Sequence, residues 1–110
     1  MVKFTLRSAT LIASVKGDID QHTAPGIREQ IDLRISHENV RKLIFDFSGL
    51  DFMDSSGIGL IIGRYKLMTS LNGKVSIIAS KPTIRKLLEL SGIKKIINIH
   101  DDLSDALKSA

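Results

Sequence analysis

Residues 43–66 leave this chain few choices of fold. Residues 43–47 are an apolar run of β type interrupted only by Asp46, Ser48-Gly49 punctuates it, and Asp54-Ser55-Ser56 brings helix-capping chemistry ahead of a long apolar segment. A buried strand therefore runs through a short loop into a helix. That helix carries Ile58, Ile61, Ile62 and Tyr65 on one face and Leu60, Leu67 and Leu71 on another, so it is apolar on most sides at its start and is expected to be central. Gly59 and Gly63 lie four apart within it, and each interior glycine costs roughly 1 kcal/mol relative to alanine. The pair predicts close approach to a sheet or to a partner.

A serine sits where this helix begins. The first turn has unpaired N–H groups and the positive end of the helix dipole, so a phosphate on Ser55 would be well housed there. The ordinary reading is that Ser55 is an N-cap whose hydroxyl accepts the N–H of Gly57 or Ile58. The two readings are compatible.

The rest of the chain alternates strands and helices. Residues 2–6 and 11–15 read as two strands joined by a polar turn near Ser8-Ala9, and Gly17-Asp18 closes the second. A helix begins at Ala24-Pro25 with Thr23 as its N-cap, and Ile27, Ile31 and Ile35 mark its buried face. Residues 40–47 form the next strand, and Asn72-Gly73 ends the central helix. Residues 75–79 are a strand, and Lys81-Pro82-Thr83 opens a helix carrying Ile84, Leu87, Leu88 and Leu90 that Gly92 caps. Residues 96–99 make a short last strand, and Asp101-Asp102 introduces a terminal helix with Leu103, Ala106 and Leu107. The order β-β-α-β-α-β-α-β-α predicts an α/β fold: a mixed sheet of four to five strands, with parallel pairs covered by about four helices, mainly on one face. At 110 residues, the whole of 1–110 is expected to be one domain.

Charge and composition exclude several functions. Residues 1–63 hold seven Lys/Arg against eight Asp/Glu, and residues 64–110 hold nine against four. The net +4 is thus a property of the C-terminal half, while Asp18, Asp20, Asp46, Asp51 and Asp54 cluster in sequence around Ser55. With aromatics at 5%, and Lys81, Arg85, Lys86, Lys94 and Lys95 reading as solvated positions, nucleic-acid binding is not expected. The absence of cysteine excludes disulfides and thiolate chemistry, and His37 and His100 have no spaced partners for a metal. Residues 1–7 lack the apolar core of a signal peptide and no run is of membrane length, so a cytoplasmic protein is expected.

Nor do enzyme motifs survive inspection. Gly57, Gly59 and Gly63 miss the register of a dinucleotide fingerprint, and no phosphate-binding Gly-x-x-x-x-Gly-Lys loop occurs, so no cofactor is expected. Ser55 as a nucleophile, with His22 as base and Asp20 or Asp54 as orienter, is the hydrolase alternative. It lacks the first glycine of a nucleophile elbow, because Met53 stands there.

The quartet Asp54-Ser55-Ser56-Gly57, with Gly17-Asp18-Ile19-Asp20-Gln21-His22-Thr23-Ala24 upstream and Gly63-Arg64-Tyr65-Lys66 downstream, resembles the anti-sigma factor antagonists of the STAS family. Pro82 and Leu90-Ser91-Gly92-Ile93 extend the likeness almost end to end, while Asp18 and Ile19 replace the Glu-Leu of the family's Gly-Glu-Leu-Asp motif. The resemblance implies a STAS-type domain that is a switch and not an enzyme. Unphosphorylated, it would bind an anti-sigma factor and free a sigma factor, in sporulation control or alternatively as a general-stress or scaffold module. The anti-sigma factor, itself an ATP-using serine kinase, would phosphorylate Ser55, and a PP2C-type phosphatase would reverse this. The implied partner-binding residues are Asp20, Asp54, Ser55, Ser56, Gly57 and Ile58, away from nucleic acid and membrane.

Overall fold

In a computed structural model of the chain, which describes residues 1–109, β1 (Val2–Arg7) and β2 (Thr10–Val15) form the expected antiparallel hairpin. The chain then runs through β3 (Gly17–Ile19), α1 (Ala24–His37), β4 (Lys42–Asp46), β5 (Leu50–Met53), α2 (Ser55–Ser70) and β6 (Lys74–Ile78). It finishes with α3 (Pro82–Ser91), a 3-10 turn at Ile93–Lys95, β7 (Asn98–His100) and α4 (Leu103–Lys108).

The main sheet has the order β1-β2-β4-β6-β7, and every pair after the hairpin is parallel. Strand alternation divides its side chains between two cores. Leu11, Ala13 and Val15, Leu43 and Phe45, and Val75 and Ile77 point to one face, where they pack with Ile27, Ile31 and Ile35 of α1, Leu60, Ile61 and Met68 of α2, and Ile84 and Leu88 of α3. Ile12, Ile44 and Ile78 point to the other and meet Ala106 and Leu103 of α4. Three helices thus cover one face and one short helix the other.

Two short strands add to the expected set. After β4, Asp46 Oδ1 accepts hydrogen bonds from the backbone N–H and the hydroxyl of Ser48, which turns the chain out of the main sheet. It returns as β5, paired in parallel with β3 as a separate two-stranded sheet. Gly17-Asp18 and Ser48-Gly49, read as punctuation, therefore border or enter strands. Leu71, at 54% exposure, and Leu90, at 77%, lie outside the core although their helical spacing suggested otherwise.

Candidate functional site

The small sheet positions the site. Ile19 and Met53 are partners at the ends of β3 and β5, and the Asp54 N–H donates to the Ile19 carbonyl at 3.1 Å. The residues that follow, Asp20 on one strand and Asp54-Ser55 on the other, emerge side by side at the same end. Parallel strands place their following loops together, which is why residues more than thirty apart in sequence meet here.

Asp54, not Ser55, caps α2. Its extended backbone precedes the helix, and its Oδ1 accepts the Ser56 N–H at 2.8 Å. Aspartate takes the role because Ser55 is already the first helical residue, where its own hydroxyl cannot reach back to a first-turn N–H. Ser55 is exposed, and its hydroxyl makes no hydrogen bond among the described residues.

Thr23 likewise does not cap α1 with its side chain. Asp20 Oδ1 accepts the N–H of His22 at 2.9 Å and of Thr23 at 3.0 Å, while Thr23 Oγ1 accepts the Asp20 N–H at 2.9 Å. This reciprocal pair is a capping box displaced by one turn. The N–H groups of Thr23 and His22 hold the Asp20 carboxyl below its ordinary value. Among the described residues that carboxylate accepts from backbone and not from the His22 ring.

The remaining members of the expected set differ in what they can present. Ser56 is half-buried, and Ile58 is half-buried against the main core. Gly57 is buried, and a Cβ there would collide with Met53 Cγ and Sδ. Glycine is needed at this position so that α2 can seat on β5; it is not a surface contact. Phe52, which the sequence reading passed over, is half exposed on β5, and Lys81, read as a solvated position, pairs its Nζ with Asp51 at 3.1 Å and ties the start of α3 to the same small sheet. Arg28 and Arg64 line a groove of about 350 Å³ between α1 and α2 that opens beside Gln21 and Ser56. Only the proximity of α1 to α2, invisible in sequence, reveals it.

The chain has relatives of similar length. A 37% identical anti-sigma F factor antagonist of Paenibacillus polymyxa aligns over 97 residues, which cover 88% of this chain and 83% of that protein. The structure of unphosphorylated SpoIIAA, an anti-sigma factor antagonist, superposes with a TM-score of 0.84 at 28% identity, covering 97% of this chain and 93% of that one. The phosphorylated form of the Bacillus protein gives 0.75 at the same identity, covering 97% and 96%. The profile of the STAS domain matches residues 2–106, and with the fold and these relatives in agreement the chain belongs to the STAS domain family.

Proposed function

We propose that this protein is an anti-sigma factor antagonist of sporulation control, switched by phosphorylation of Ser55. Unphosphorylated, it binds an anti-sigma factor and releases the sigma factor held there. The anti-sigma factor, acting as a kinase with its own ATP, phosphorylates Ser55, and a PP2C-type phosphatase restores the active form. The protein acts in the cytoplasm, off the membrane and without nucleic acid, and has no catalysis of its own. The observation that carries this reading is the state of Ser55: exposed, with a hydroxyl unpaired among the described residues, at the first position of a helix whose cap is supplied by another residue.

Phosphate at that position adds about −1.5 to −2 charge and three acceptor oxygens. The helix dipole tolerates the charge, so the fold need not rearrange. Beside Asp20 and Asp54, the same charge and bulk make the face more acidic and crowd a partner away. Asp20, Asp54, Ser55, Ser56 and Ile58 form the contact face in this reading, and Gly57 supports it from beneath.

Incubation with ATP and the host's anti-sigma kinase, followed by mass spectrometry, tests the assignment. One phosphate on Ser55 is expected, removable by the phosphatase, with none when ATP is added alone. Phosphate at another residue, or an anti-sigma factor that ignores the unmodified protein, would refute it.

A further inference from the structure

Glycine is among the poorest helix residues, and a glycine kept inside a helix calls for a reason. At Gly57 the reason is Met53. At Gly59 and Gly63 the fold supplies none, because a Cβ at either would meet nothing within 4 Å. Both line the groove between α1 and α2, where with the small Ser56 they keep the α2 side low around Leu60.

Charge distinguishes this groove from a packing defect. Arg64 keeps 11% of its side-chain surface exposed, and its Nε and Nη1 are buried. Asp32 Oδ1 lies 3.0 Å from Nε but out of line for a hydrogen bond, and Nη1 has no acceptor among the described residues. Arg28 lines the same groove, so two guanidinium groups stand against one carboxylate. A buried cation short of acceptors favours an incoming anion. Burial, offset in part by Asp32 and deepened by Arg28, lowers the pKa of Arg64.

We propose that the groove between α1 and α2 receives a carboxylate-bearing segment of the anti-sigma partner, which lies over Gly59 and Gly63 with its acidic group against Arg28 and Arg64. The inference rests on the antagonist reading above and names a second contact for the same partner. Charge complementarity selects an acidic occupant. The two glycines admit main chain closely, and the nearness of Ser56 to the groove lets one partner hold the groove and Ser55 together. The phosphorylation site then reports on one end of the contact and the arginines anchor the other.

Calorimetric titration with the host's anti-sigma factor tests this on the full chain, using wild type, Gly59→Ala, Gly63→Ala, Arg28→Glu and Ser55→Asp, each with a melting curve. The alanine variants should melt higher than wild type and yet bind about tenfold more weakly, a combination that damage to the fold cannot produce. Arg28, exposed at the lip, should change to Glu with little effect on melting, a similar loss of affinity and a shallower dependence on salt. Groove variants that bind within about twofold of wild type, while Ser55→Asp loses binding, overturn the groove and leave the antagonist reading standing. Failure of the wild type itself to bind overturns both.

Discussion

Ser55 and Asp54 divide two tasks that one residue was expected to share. Asp54 caps the helix and Ser55 stays free, so stability and signalling separate at neighbouring positions. Asp54→Ala should cost about 0.5–2 kcal/mol, and Ser55→Ala close to nothing, in urea unfolding at neutral pH. A Ser55→Ala loss as large as that of Asp54→Ala would return the cap to the serine. In titrations against the anti-sigma factor, Ser55→Ala should bind persistently and Ser55→Asp more weakly than wild type. Asp20 belongs at this scale too. Its carboxyl titrates below the ordinary 3.8 in the folded protein because ionised oxygen accepts the N–H groups of Thr23 and His22. The folded state thus favours the anion, and the contribution is present above the unfolded value and lost as pH falls through the folded one. The melting-temperature advantage of wild type over Asp20→Asn should therefore be larger at about pH 6 than at about pH 2. An equal difference at both would detach the turn from ionisation. The sequence showed that cap chemistry stood before α1 and α2. It could not show which oxygen does the capping, because that depends on where the first helical residue falls and a shift of one position moves the role.

At the scale of elements, α2 tests the difference between a glycine that packing needs and one that packing ignores. Gly57→Ala drives a methyl into Met53, a side chain only 1% exposed, and should destabilise by about 1–3 kcal/mol. Gly59→Ala meets open space and should stabilise by up to about 1 kcal/mol. Denaturant midpoints that move the same way for both would contradict the assigned packing. The sequence placed these glycines on a helix and asked what approached them, but a sheet, a side chain and an empty groove look alike in sequence. The long elements were legible for a plain reason: α1 and the parallel strands repeat their apolar pattern over several turns or pleats, as Ile27, Ile31 and Ile35 do. Strands β3 and β5, at three and four residues, are too short for any period to register. Yet this small pair brings Asp20 beside Asp54, and so most of the site's geometry rests on the least legible elements.

Taken whole, the molecule separates its two faces. The site, the groove and the three longer helices share one face of the main sheet, while α4 alone shields Ile12, Ile44 and Ile78 on the other. Lys42 ties α4 down, its Nζ donating to the carbonyls of Ala106 and of Ser109, the latter at 2.6 Å. A cation at a helix C-terminus suits the dipole, and burial beside Lys74 lowers the pKa of Lys42 without breaking the contact. Removing residues 102–110 would expose the three isoleucines in part, for an expected loss of about 2–4 kcal/mol in urea unfolding. The strands beneath would keep their hydrogen bonds, and the core shared by α1, α2 and α3 would be untouched. Partner binding, measured where the shortened protein is still folded, should therefore stay within about twofold of wild type. If the truncation instead abolishes binding while the folded state survives, α4 belongs to the contact face, and the division between a signalling face and a structural face is wrong.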